Sequence, residues 1–262
     1  MTKLDFGAYT REELKAFANG GYTVIIPLAA TEQHGPHLPV YTDTMICERV
    51  CREAIIQAGS AAKLIMAPVL SIGCSGHHLE FGGTLSFSSS VYYQMLMDIG
   101  RSLHIGGFKQ IIFLNGHGGN EWMMQQAAVD LTMQYSIWTA SASYWNLAKQ
   151  ALMDIDAQRI GPVPGHAGAF ETAMMMSLLP DLKADGLKKE HPSTISITKE
   201  LTNVFAGRRG LITGYDGYTD AADGATKDMG DLFFAVIAKA VTEWLIQSTN
   251  HMQSMKDNDE RE

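Results

Sequence analysis

The chain has few cysteines, no basic excess and no long unbroken apolar run, and each shortage excludes something. Its 262 residues hold three cysteines, Cys47, Cys51 and Cys74. None forms a Cys-x-x-Cys pair, so a cysteine-built zinc ribbon or a disulfide framework is not expected. Cys47 and Cys51, four apart on a predicted helix, read as small core residues rather than ligands. An odd cysteine count, with no apolar leader after Met1, fits a reducing cytoplasm. The net charge is -8 with no basic stripe, which argues against a nucleic-acid partner. No stretch approaches 18 uninterrupted apolar residues, so neither a membrane span nor a membrane partner is expected. Glycines 116, 118 and 119 resemble a phosphate loop, but no Lys-Ser/Thr follows and a nucleotide P-loop is rejected. No linker-like composition interrupts the chain, and residues 1–262 read as one domain.

What is present is material for a sizeable core, with 46% hydrophobic and 18% charged residues. Thr10 and Glu13 form a capping-box pattern that opens a helix closed near Gly20. Residues 22–29 are a continuous apolar run with β-branched members, which fits a strand covered on both faces. Helical spacing follows over 43–58, a second strand over 63–69, and a glycine-rich loop over 71–90. A helix to His104, a strand over 110–114, a helix over 121–135 and a strand over 137–144 come next. Another helix is expected over 170–179 and a strongly amphipathic one over 231–247. Short strands are expected near 195–197 and 211–213, and a frayed charged tail after Thr249. Alternating strands and helices give an α/β fold with a mostly parallel sheet and helices on both faces. In such sheets ligands gather beyond the carboxyl ends of the strands.

The polar residues that carry chemistry fall at those ends. The stretch Glu32-Gln-His34-Gly-Pro-His37-Leu-Pro-Val-Tyr-Thr-Asp43 follows the first strand, and His117 follows the third. His77, His78 and Glu80 lie in the glycine-rich loop, Trp145 ends the fourth strand, and His166 and Glu171 open a later helix. Mixed carboxylates and imidazoles at a sheet edge suit a catalytic divalent metal. A pair of ions needs one bridging carboxylate with histidine and carboxylate ligands at either side. Asp43 suits the bridge, Glu32 and His117 one ion, His34 and Glu171 the other. His166, at the end of a loop, suits proton transfer. The plainer alternatives are a helix-start carboxylate for Glu171, a ligand-orienting histidine for His166 and core packing for Trp145. The direction of His37 stays open, and Asp220, Asp223 and Asp228 read as a solvated turn and helix cap.

The phrases Thr31-Glu-Gln-His-Gly-Pro-His37, Gly82-Gly-Thr-Leu-Ser86, Leu114-Asn-Gly-His-Gly-Gly-Asn120 and His166-Ala-Gly-Ala-Phe-Glu-Thr172 together carry a resemblance. The chain resembles the creatininase (creatinine amidohydrolase) family of binuclear metal hydrolases. The resemblance implies a three-layer α/β/α sandwich, two divalent ions per subunit (Zn, Mn or Fe) and a homo-oligomer, frequently a hexamer. Carried over by position, it implies Glu32, Asp43 and His117 on one ion, and His34 with the bridging Asp43 on the other. His166 matches the histidine that passes a proton to the leaving nitrogen. Two departures stand out. Creatininase proper has a metal-binding glutamate where this chain has Gly119, so Glu171 is the expected replacement. It has a loop tryptophan where this chain has Pro162, which removes one face for stacking a planar ring. Trp145 matches another pocket aromatic, and His77, His78 and Glu80 are expected to meet a small polar substrate. The expected activity is hydrolysis of a small cyclic amide or formamide; the alternative is opening of a cyclic diketone, such as a diketo-inositol, by C–C cleavage.

Overall fold

The apolar runs become the middle layer of a sandwich because every residue in them has a place to bury. The computed structural model describes residues 4–182, 213–214 and 216–259. Strands β1 (Thr23–Leu28), β2 (Leu64–Met66), β3 (Gln110–Asn115) and β4 (Trp138–Ser143) form one sheet in the order β2-β1-β3-β4. All the pairings are parallel, and Leu28 stands opposite Asn115 at the end of the central pair. β1, β2 and β3 are buried throughout, as continuous apolar runs require.

Side-chain alternation sends successive residues to opposite faces. Val24, Ile26, Leu28, Ile111 and Phe113 face one core, shared with helices α1 (Arg11–Asn19), α3 (Ser89–Ile105) and α4 (Glu121–Tyr135). Ile25, Met66, Ile112 and Leu114 face the other. That core is closed by α2 (Thr42–Ala58), the short α5 (Tyr144–Leu147) and α6 (Lys149–Asp154), α7 (Ala169–Leu178) and the C-terminal helix α8 (Lys227–Asp259). The result is the three-layer α/β/α arrangement with a parallel sheet.

Local signals explain most boundaries. Thr10 and Glu13 form the reciprocal capping box that starts α1. Gly59, with φ 51°, ends α2 in a conformation that suits glycine. Two expectations are corrected. The polypeptide after β4 turns at once into α5 and α6, which place Trp145 on a helix rather than at a strand end. Helix α8 continues past Thr249 to Asp259, with Met252 buried and Gln253 donating to the Gly21 carbonyl at 3.3 Å. The short strand expected near 195–197 lies outside the described residues, as does most of 211–213. Among the described residues no helix is long and apolar enough to cross a membrane.

Candidate metal centre

Backbone connections at the carboxyl edge of β1 and β3 bring the polar segments together. Beyond β1 the chain makes an excursion that the Glu32 N–H closes by donating to the Val40 carbonyl at 2.8 Å. α2 then begins beside the strand end, where the Thr44 hydroxyl donates to the Ala30 carbonyl at 2.8 Å. This puts Asp43 in the first turn of α2, where the helix dipole favours a carboxylate. Beyond β3, the Asn115 side chain cradles the next turn. Its Oδ1 accepts the His117 N–H at 3.1 Å, and its Nδ2 donates to the His117 carbonyl at 2.8 Å. Glu171 lies in the first turn of α7 and accepts the Ala167 N–H.

The side chains so placed are buried together. His34 Nε2 lies 3.1 Å from Asp43 Oδ1 and 3.6 Å from Glu171 Oε2. His117 Nδ1 lies 2.9 Å from Asp43 Oδ2, and its Nε2 lies 3.5 Å from Glu32 Oε2. Two groups with converging ligand atoms result, Glu32–Asp43–His117 and His34–Asp43–Glu171, and Asp43 belongs to both. Glu32 also converges with His77 and His78, and with His34 and His166. Glu32 Oε2 and Asp43 Oδ2 are buried with no hydrogen bond. Buried carboxylate oxygens left in that condition are costly unless a cation compensates them. The donor set of imidazole nitrogen and carboxylate oxygen therefore fits a divalent transition metal.

The electrostatics point the same way. Burial alone would raise the Asp43 carboxyl, but His34 and His117 hold it below the ordinary carboxylate range. Burial opposes charge on His34, yet Asp43 and Glu171 raise it to about 10. His117 is raised to about 9 by Glu32 and Asp43 against the same penalty. Burial pushes Glu171 up to about 8, and raises Glu32 as well. Burial keeps His166 neutral, with its value well below the ordinary one. His78 is lowered to about 3 by burial and by His77, and His77 to about 4 by burial and by His117.

The expected residues are not all in the cluster. Glu32, His34, Asp43, His117, Glu171, His166, His77 and His78 converge. Glu80 is exposed on the turn that carries the two histidines and joins none of the ligand groups. Trp145 is partly buried, set edge-on to Tyr144 at 5.0 Å and packed against the core. His37 Nε2 meets the Thr172 hydroxyl at 3.2 Å, bracing the turn beside Glu171. Asp220 is not simply a solvated turn residue. It is half-buried and accepts the Ala169 N–H at the start of α7 at 3.2 Å and the Thr219 hydroxyl at 3.0 Å. At Gly119, where the resemblance implied a ligand in creatininase proper, there is no room for a side chain. A Cβ there would stand 2.1 Å from the Cys74 carbonyl oxygen and 2.6 Å from His117 Nε2, so no side chain fits. Sequence reasoning missed Gln33, Ser75 and Asn115, which carry no charge but hold the charged groups in place.

A parallel sheet with carboxylates and imidazoles gathered beyond its strands defines an α/β protein with a candidate metal centre. The profile of the family described as Creatininase: Creatinine amidohydrolase matches residues 7–245, and the chain belongs to that family. It is 35% identical over 160 residues to a mycofactocin precursor peptide peptidase of Mycolicibacterium smegmatis, covering 60% of this chain and 58% of that one. It thus spans a little over half the length of that relative. It is 26% identical over 263 residues to the creatinine amidohydrolase of Pseudomonas putida, covering 93% of this chain and 96% of that one. A solved structure designated creatininase Mn superposes with a TM-score of 0.77 at 25% identity, covering 95% of this chain and 99% of that one.

Proposed function

We propose that the chain is a metal-dependent hydrolase that cleaves an amide bond in a small cyclic amide or formamide, with two divalent ions per subunit. The observation that carries this reading is the pair of ligand groups sharing Asp43. Glu32 and His117 would hold one ion, His34 and Glu171 the other, and Asp43 would join them; similarity to a creatininase designated Mn supports manganese among the candidates. Ions held there would polarise a carbonyl and make water more acidic.

The protein's own groups do the rest. Attack of water on the carbonyl releases a proton, and the departing nitrogen needs one. His166 Nδ1 lies 3.4 Å from Glu32 Oε1, on the rim of the centre, where the neutral ring can first take up the proton released by water and then give one to that nitrogen. His77, half-buried beside the buried His78, would meet the polar parts of the substrate.

A second reading is favoured by a specific observation. The higher percentage identity, over a shorter stretch, is to a peptide peptidase, and exposed Leu79, Phe81, Leu85, Val40 and Tyr41 lie on the two loops that carry His77–His78 and the approach to Asp43. An apolar rim of this kind suits a peptide amide. Homo-oligomer formation is supported by exposed Val91, Ile105, Trp122, Val129 and Met133 on α3 and α4.

Metal analysis of the purified chain should find close to two divalent ions per subunit. Turnover should then be seen with one class in a panel of cyclic amides, formamides, short peptides and oxidised inositols. Full activity after removal of all metal would end the proposal.

A further inference from the structure

Five imidazoles, those of His34, His77, His78, His117 and His166, converge on the Glu32 carboxylate, and one uncharged side chain orients two of them. The orientation of the Gln33 amide is fixed by backbone. Its Oε1 accepts the Gly35 N–H at 3.0 Å, and its Nε2 donates to the Gly217 carbonyl at 2.9 Å. The fit is close, because a Cβ on Gly217 would stand 2.1 Å from Gln33 Oε1 and that residue has φ 75°. The same Nε2 lies 2.6 Å from His78 Nδ1 and 3.2 Å from His166 Nε2.

An amide nitrogen carries protons and accepts none. One of its two protons serves the Gly217 carbonyl and the other is shared between His78 Nδ1, at the shorter distance, and His166 Nε2, so neither ring nitrogen that faces it can carry a proton, since N–H would then oppose N–H. The single proton of each neutral ring must sit on the far nitrogen, Nε2 in His78 and Nδ1 in His166. Both far nitrogens face the same atom, Glu32 Oε1, at 3.5 and 3.4 Å. The other oxygen, Oε2, is buried without a hydrogen bond and lies 3.5 Å from His117 Nε2.

His34 and His117 are set the opposite way. His34 Nδ1 faces the Glu32 carbonyl at 2.8 Å, which leaves the lone pair on Nε2, towards Asp43 and Glu171. His117 Nε2 faces the Cys74 carbonyl at 3.2 Å, which leaves the lone pair on Nδ1, towards Asp43.

We infer that Gln33 is a positioning residue that sets His78 and His166 apart from His34 and His117, whose rings backbone carbonyls orient. It holds His78 and His166 as N–H donors directed at Glu32 Oε1, so that neither binds an ion and Glu32 offers only Oε2. The ligand group Glu32–His77–His78, although compact, is thereby closed to metal through His78 Nε2. The inference rests on the proposed reading in that Glu32 is taken as a ligand and His166 as a group that acts on substrate.

The test is a long-range 1H–15N correlation on zinc-loaded, full-length protein with 15N-labelled histidine, the two rings being assigned through His78→Gln and His166→Gln. The expected spectrum has His78 in the Nε2–H form and His166 in the Nδ1–H form. Gln33→Glu places an acceptor where the donor was, and should move the proton to Nδ1 of His78 and to Nε2 of His166. It should lower kcat by about 10- to 100-fold with a much smaller change in KM. A wild-type spectrum with either ring in the other form overturns the inference, and so does a folded Gln33→Glu protein whose tautomers are unchanged. If that variant does not fold, the wild-type spectrum still decides. The tautomers are read without turnover, so the expected forms in a protein that hydrolyses no amide would defeat the proposed function and leave this inference standing.

Discussion

Glu171 Oε2 lies 3.6 Å from His34 Nε2, a separation that two ligands of one ion can keep. Glu171→Gln should therefore lower bound metal from two ions towards one per chain, read by elemental analysis after desalting. His117→Ala should do the same at the other ligand group. If both variants keep the full complement, the assignment of these residues as ligands is wrong.

His166 should separate from the ligands. Its Nδ1 reaches Glu32 at 3.4 Å while its other ring nitrogen meets Gln33. His166→Ala is expected to retain its metals and lose roughly 100- to 10,000-fold in turnover, the range for loss of a general acid–base group. Metal content and single-turnover rates on the same preparation check this.

Metal uptake should depend on pH in a stated direction. Without metal, the carboxylates raise His34 to about 10 and His117 to about 9. Both rings therefore hold an extra proton at pH 7, and an incoming ion must displace it. Affinity should rise with pH until about 9 to 10 and then level off. Calorimetry in buffers of different ionisation enthalpy should show proton release on binding at pH 7.

His77 gives an acid-side effect of opposite origin. Burial and His117 lower it to about 4, whereas the unfolded chain protonates it near its ordinary value of 6.5. Between those values the unfolded state binds more protons, so the contribution of His77 to stability is complete above 6.5 and is lost as pH falls towards 4. In metal-free protein, His77→Gln should lose less stability than wild type over that window. Parallel thermal melts from pH 7 to pH 4 measure the difference.

Gly119→Ala tests the crowding at that position. The added Cβ would meet the Cys74 carbonyl oxygen at 2.1 Å, backbone that cannot simply swing aside. A loss of about 1–3 kcal/mol is expected from overpacking, together with weaker metal binding because His117 is displaced. An unchanged denaturation midpoint would contradict the packing argument.

The sequence carried the sheet and the charged half of the site clearly, for physical reasons. Residues 24–29 and 111–114 are apolar at every position because both faces of the sheet are covered. Glu32, His34, Asp43 and His117 stood out because ionisable groups at strand ends are conspicuous. Four things were hidden. α6 starts without a side-chain cap, so nothing local marks it. The last turns of α8 look like a solvent-exposed tail, but packing of Met252 overrides composition. Gln33 is uncharged, and its fixed orientation depends on Gly217, far along the chain, so spacing cannot display its role. Asp220 sits among turn residues, and only the fold shows that it meets the start of α7.

Gly217 and Thr219 touch the Gln33–Gly35 segment and the His166 backbone respectively. Every proposed ligand, and His166 with them, precedes these braces in the order of translation. A growing chain thus acquires all of its metal-seeking groups before the residues that arrange them. The centre reaches its selective form only late in synthesis, and a ribosome-stalled fragment ending near 180 would carry the ligands without their selectivity.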